Sequence, residues 1–262
     1  MNWKMNRKFF IILIVGVTLL ATLMFIPPAI YSSPEGKYRI AMAGRSTMDY
    51  WFKSWNWPVF VNKYAGWKNL PIPHQKYAQG KYYFEYLPVP GPSFSDNLDE
   101  NGREMFEAIA RQADPKRYDA LFFKFCYVDF PVPEGDEEAR KTRLRQMTAL
   151  VEKVHQLAKT RGMKLILGTA LPVLNPGNNE NQLREEFTDW IISYGNQNED
   201  VGVVDLYRPI IDDKGRLRNE FAQYLWHRSV YDDHVNWKGF RLLDQGLFQS
   251  LDGLFKNSPP PS

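Results

Sequence analysis

The sequence predicts an α/β fold: a three-layer α/β/α sandwich on a mainly parallel five-stranded sheet, preceded by one transmembrane helix. Three observations carry this. Short apolar runs alternate with amphipathic segments along residues 38–255, the pattern of a parallel sheet covered by helices on both faces. One run, Ala120–Phe125, is apolar apart from Lys124, as expected of a central strand buried on both sides. The N-terminus carries an apolar stretch from Phe9 to Ile26, close to the ~20 residues that cross a bilayer.

Each element has its own justification. Lys4, Arg7 and Lys8 precede the apolar stretch, and its exit reads Met24-Phe25-Ile26-Pro27-Pro28, without the small residues of a cleavage site. An uncleaved signal anchor follows, its basic flank on the cytoplasmic side and the rest of the chain outside. A removed signal peptide is the other reading, and it leads to the same compartment. The domain organisation is then a cytoplasmic N-terminus (1–8), an anchor (9–29), a linker (30–37), one extracytoplasmic domain (38–255) and a disordered Pro-rich tail (256–262).

Within the domain, Tyr38–Ala43 is the first strand and Ser46–Trp55 the first helix. Tyr82–Leu87 is an aromatic-rich strand closed by Pro88, Pro90, Gly91 and Pro92, and Leu98–Arg111 is helical. After Ala120–Phe125, Leu144, Met147, Val151, Val154 and Ala158 recur at helical spacing until Gly162 stops them. Leu165–Thr169 and Val201–Asp205 are buried strands with a helix around Glu185–Tyr194 between them, and Trp237–Leu254 is the last helix. Ligands of such sheets bind beyond the carboxyl ends of the strands. Ser46, Gly91 and Asp129 all follow strand ends, so one mouth can collect them.

Composition narrows the function classes. The net charge is +3, and much of the excess sits in the N-terminal segment, so the outer domain lacks the clustered basic surface of a nucleic-acid binder. Cys126 is the only cysteine, which excludes an internal disulfide; its apolar surroundings suit a buried, inert thiol. No second histidine stands at metal-ligand spacing to His234, which makes a metal-dependent hydrolase a distant reading; no metal and no cofactor is expected.

Two segments carry chemistry. Gly44-Arg45-Ser46-Thr47 places a serine at a strand-to-helix turn, where helix N–H groups and the positive dipole end face a developing oxyanion. The plainer reading is that Ser46 or Thr47 caps the helix. Of the four histidines, His74 lies in a Pro-rich loop, His155 on an amphipathic helix, and His227 among aromatic and basic neighbours. Only His234 has acids directly upstream, Asp232 and Asp233, and a helix start downstream. A histidine base needs such a carboxylate to fix its tautomer. The plainer reading here is an acidic turn that caps the last helix.

Order and spacing of these blocks resemble the SGNH (GDSL-type) hydrolase and acyltransferase superfamily, from Tyr38 to about Leu254. That family carries a Gly-x-Ser block after the first strand, a Gly block after the second, Asn-Asp after the third and Asp-x-x-His before the final helix. Gly44-Arg45-Ser46 is similar to the first, with Arg45 in place of the usual acid, and Gly91 to the second. Tyr127-Val128-Asp129 occupies the third place, with Val128 where the oxyanion Asn would stand. Asp232-Asp233-His234 is similar to the last, one residue shorter. This Asp-x-His form resembles membrane-anchored polysaccharide O-acetyltransferases related to alginate acetylation. The anchored layout resembles the teichoic-acid D-alanylation protein of Gram-positive bacteria.

The resemblance implies an SGNH/flavodoxin-like sheet and a catalytic triad of Ser46, His234 and Asp232, with Asp233 the lesser candidate for the acid. The oxyanion hole would use the Ser46 and Gly91 backbone N–H groups and one unidentified donor; Arg45, Lys124, Asp129 and Asp233 would line the site. It implies an acylated carbohydrate or a small acyl ester as substrate, and an envelope acyl-transfer partner protein. Trp51, Trp55, Trp57 and Trp67 suit sugar faces or, more plainly, core packing. The second function class is a non-catalytic glycan-binding or scaffold subunit, favoured by Arg45 and Val128. The topology has a direct check: a reporter fused after Leu254 is expected to be active only outside the cytoplasm, and cytoplasmic activity would remove envelope substrates from consideration.

Overall fold

The computed structural model describes residues 34–56, 76–90, 98–225 and 228–258. The apolar stretch 9–26, Gly91, His74, His227, Trp57 and Trp67 lie outside them. Among the described residues no helix is long and apolar enough to cross a membrane.

A six-stranded sheet runs through the domain in the order β2-β3-β1-β4-β5-β6. Its strands are β1 (Tyr38–Gly44), β2 (Lys76–Gln79), β3 (Tyr82–Pro88), β4 (Ala120–Phe123), β5 (Lys164–Gly168) and β6 (Val201–Val204). The five predicted strands are all present and mutually parallel. The sixth, β2, was not expected, and it lies antiparallel against β3 at the edge. It has four residues, none of them buried, so it carries no apolar run to read. A two-residue turn joins it to β3, with Gly80 at φ 55°, a left-handed conformation that glycine adopts without steric cost.

Five helices are described: α1 (Ser46–Asn56), α2 (Leu98–Gln112), α3 (Glu137–Thr160), α4 (Asn178–Gln197) and α5 (Trp237–Leu254). Side chains alternate across the pleat, and the two faces of the sheet build two cores. Ile40, Met42, Phe84, Phe122 and Ile166 meet Trp51 and Phe52 of α1 and Phe240, Leu243 and Leu247 of α5. Ala41, Ala43, Leu121, Phe123 and Leu165 meet Met105 and Ile109 of α2, Met147 and Val151 of α3, and Phe187 of α4. Each fully buried Phe or Leu contributes about 1.5–3 kcal/mol, so both layers are strongly attached to the sheet.

Local signals set the helix ends. Asp136 accepts the Ala139 N–H at 2.9 Å, with Glu137 and Glu138 following in the first turn of α3, where they complement the helix dipole. Gly162, at φ 67°, ends that helix as the sequence suggested. Asn236 caps α5 by accepting from Lys238 N and Gly239 N at 2.9 and 3.2 Å.

The segment before α5 is not an acidic turn, the plainer of its two sequence readings. It is a strand, β8 (Val230–Val235), paired antiparallel with β7 (Ala222–Leu225) in a separate two-stranded ribbon. Its Asp-Asp-His content has low strand propensity, so only cross-strand pairing shows the ribbon.

Strand β1 lies between β3 and β4, so the chain crosses to opposite sides of it in turn, and the carboxyl end of β1 is a topological switch point. Fully buried Arg184 of α4 braces the loops there, donating to Leu171 O at 2.7 Å and Tyr127 O at 2.9 Å, with Glu180 at 2.8 Å for its charge. Arg184→Met is therefore expected to lose about 3 kcal/mol of stability in urea unfolding. A loss within the ±0.5 kcal/mol typical of neutral surface changes would show that these ties carry no weight.

Candidate active site

Ser46 opens α1 directly after β1. Gly44 makes the turn tight: a Cβ there would stand 3.0 Å from Met48 Cβ. The first N–H groups of the helix have no intrahelical acceptor, and that end carries the positive dipole. Ser46 is exposed, whereas Thr47 is buried and its hydroxyl lies 3.6 Å from Cys126 Sγ. The Ser46 hydroxyl meets His234, not a helix amide: Oγ stands 2.9 Å from Nε2 across 188 residues of sequence. Sequence separation of that size is closed by α1 packing on α5 and on the ribbon.

His234 is 8% exposed. Its Nδ1 is tightly hydrogen-bonded to Asp232 Oδ1, and the same oxygen accepts the His234 backbone N–H at 3.0 Å. A carboxylate on Nδ1 holds the proton there and leaves Nε2 as the acceptor that faces Ser46. Two rings hold the imidazole: Tyr50 at 4.6 Å between centroids and Tyr127 at 5.2 Å, edge-on. Burial, with the carboxylates of Asp232 and Asp49 nearby, pushes the Tyr50 phenol up to about 12, so it stays neutral beside His234. Asp233 points elsewhere; its carboxylate accepts the Leu174 N–H at 2.8 Å. Adjacent strand residues face opposite sides, so Asp232 is the acid on the imidazole.

Arg45 and Asp129 form the second part of the site. Arg45 Nη1 stands 2.8 Å from Asp129 Oδ1, and Nε donates to Pro90 O at 3.2 Å. Asp129, only 1% exposed, also accepts the Cys126 N–H at 2.7 Å. One guanidinium thus ties the turn after β1 to the chain after β3 and to the turn after β4. The arginine in the place of the usual acid has its partner in the aspartate of the third block. Pro90, which it holds, directly precedes Gly91.

Other sequence-predicted positions fall differently. Lys124 does not line an open mouth. It is 3% exposed, packed where a Cβ on Gly168 would come within 2.9 Å of its own Cβ. Its ammonium has no hydrogen-bond partner among the described residues, and burial pulls its pKa down. Val128 is an exposed hydrophobe and has no donor to offer. Trp51 and Trp55 are buried, and both indole N–H groups bond to Asp244, at 2.8 and 2.9 Å; they pack the core and offer no sugar platform. His155 is likewise structural, between Tyr194 and Asp200. Tyr50 and Tyr127 were missed. The available signal was an aromatic residue one place before Val128, but no periodicity shows that its ring turns toward His234.

No protein-family model matches the sequence, and no curated protein matches it. Solved structures do match in shape. A candidate acylhydrolase from Bacteroides fragilis superposes with a TM-score of 0.51 at 13% identity, covering 82% of this chain and 86% of that one. A GDSL-like lipase from Bacteroides thetaiotaomicron gives a TM-score of 0.51 at 12% identity, with 84% and 90% of the two chains covered. Likeness at this identity is likeness of fold: the chain shares the α/β fold of these acylhydrolase and lipase structures.

The buried ion pair makes a prediction. Arg45→Met leaves the Asp129 charge uncompensated and is expected to cost about 3–5 kcal/mol in urea unfolding. Adding Asp129→Asn to that variant should restore part of the loss, because it removes the stranded charge. Strictly additive losses would show that the two side chains do not neutralise each other.

Proposed function

We propose that this protein is a membrane-anchored, extracytoplasmic serine esterase or O-acyltransferase that acts on acyl esters of a cell-surface glycan through an acyl-Ser46 intermediate. One observation carries the chemistry: an exposed serine hydroxyl lies 2.9 Å from His234 Nε2, while the far nitrogen of that ring is bound to Asp232. A serine hydroxyl is a weak nucleophile until such a base accepts its proton.

In the reaction, Ser46 Oγ attacks the acyl carbonyl as Nε2 takes its proton. The bond to the alcohol oxygen then breaks, and Nε2 returns the proton to that oxygen. Water or a sugar hydroxyl then attacks the acyl carbon and gives its proton to Nε2, which passes it to Ser46 Oγ as the acyl–serine bond breaks. Asp232 stabilises the imidazolium formed in both halves. The Ser46 N–H, among the free N–H groups at the start of α1, stabilises the tetrahedral oxyanion, and the sequence resemblance points to the Gly91 N–H as a second donor beside a third, unassigned one. Hydrolysis and transfer share this intermediate and differ in which oxygen enters.

The envelope setting rests on the sequence: the apolar stretch Phe9–Ile26 with its basic flank. The scaffold reading rested on Arg45 and Val128. With Arg45 serving as the partner of Asp129, only Val128 still favours it.

The test uses the full-length chain in detergent with a 4-nitrophenyl acyl ester. Ser46→Ala and His234→Ala are each expected to lower turnover by about 10⁴–10⁶-fold, and the double variant by hardly more, because triad members act as a unit. Retained turnover in Ser46→Ala would reject the acyl-serine route.

A further inference from the structure

Tyr127 stands at the proton-carrying atom of the proposed base and is given no task by the steps above. Its ring lies edge-on to the imidazole, and its hydroxyl is 3.5 Å from His234 Nε2. That is too long for a good O–H···N bond, and the nitrogen already faces Ser46 Oγ at 2.9 Å. The phenol oxygen has no other hydrogen-bond partner among the described residues. Among the described residues it is a donor with no well-placed acceptor, beside the atom through which every proton of the reaction passes.

The oxygen that belongs beside it follows from the chemistry. An oxygen exchanging a proton with Nε2 must come within about 2.6–3.2 Å of it. After Ser46, the only oxygens that do so are the departing alcohol oxygen in acylation and the entering hydroxyl oxygen in deacylation. Two atoms 3.5 Å apart leave room for one oxygen within about 3 Å of both. Resting on the acyl-serine reading, we infer that Tyr127 is a further catalytic residue, whose hydroxyl donates a hydrogen bond to that departing or entering oxygen.

The surroundings suit the role. Tyr127 is half-buried and opens the turn Tyr127–Asp129 after β4, so its oxygen is within reach of a ligand while its backbone is fixed. Arg184 holds the Tyr127 carbonyl at 2.9 Å, and Asp129 at the end of the turn is held by Arg45. Burial, with Asp232 and Asp233 nearby, raises the phenol's pKa; the proton it donates is therefore kept across the working pH range. In acylation the bond disperses charge on the alkoxide as Nε2 protonates it. In deacylation the entering oxygen accepts from Tyr127 while its own proton goes to Nε2, so no atom is left unbalanced.

Tyr127→Phe keeps the ring against His234 and removes only the oxygen. In the full-length chain in detergent, acetyl esters of 4-nitrophenol, phenol and ethanol form a series of increasingly poor leaving groups. The variant is expected to lose little on the nitrophenyl ester and about 10²-fold in kcat/KM on the ethyl ester. Its pH profile should be unmoved, and its labelling rate by a fluorophosphonate, whose fluoride leaves without that proton, should stay near wild type. An equal loss across the series would place the hydroxyl on the carbonyl oxygen or in the fold and overturn the proposal. No loss, or a shifted pH profile showing that it acts through His234, would overturn it as well. If the wild-type chain is not labelled at Ser46 at all, the acyl-serine reading itself falls, which separates the two failures.

Discussion

The Asp129 carboxylate is buried at the carboxyl end of the central strand, a place where an unpaired charge would cost several kcal/mol. Arg45 neutralises it, and the geometry of that pair decides much else. Because the guanidinium also takes the Pro90 carbonyl, the segments after β1, β3 and β4 are fixed to one another. Ser46 is the next residue after Arg45, and Tyr127 lies two before Asp129. Ser46 and the ring that braces His234 are thus held by the same ion pair. An arginine supports this because its planar fork makes two directed bonds at once, to Asp129 and to Pro90 O; a lysine would supply the charge as a single point without that fork.

The His234 half of the site hangs on different forces. Packing of α5 against α1 brings the ribbon over the mouth. Asn236 caps α5, and Gly239 lets that helix press close to the strand bearing His234: a Cβ there would stand 2.4 Å from Val235 Cγ1. The two halves meet where His234 contacts Ser46, Tyr50 and Tyr127, so the site depends on the sandwich as a whole.

Much of this was legible in the sequence because parallel strands buried on both faces read as apolar runs and their helices as amphipathic repeats. Ala120–Phe125 and the Met147–Ala158 repeat are instances, and the predicted bounds of the last helix match those observed. Ser46, His234 and Asp232 were legible through block order. What was hidden lacked a local pattern. The edge strand β2 has no buried residue, β8 is strand only through its partner, and Trp51 and Trp55 read the same whether they face a sugar or Asp244. The pairing of Arg45 with Asp129 spans 84 residues, and charge reversal at one block made sense only once the compensating acid was seen beside it. Tyr127 was hidden for the same reason: a ring's direction is set by tertiary packing.

The central claim is that Ser46 carries the acyl group during the reaction. Its most direct measurement is rapid acid quenching of the full-length chain with an activated acyl ester, followed by peptide mapping in a mass spectrometer. The account predicts one acyl group on the peptide that contains Ser46, appearing within the first turnover and absent from His234→Ala. Turnover with no acylated peptide, or with the acyl group on another residue, would contradict it.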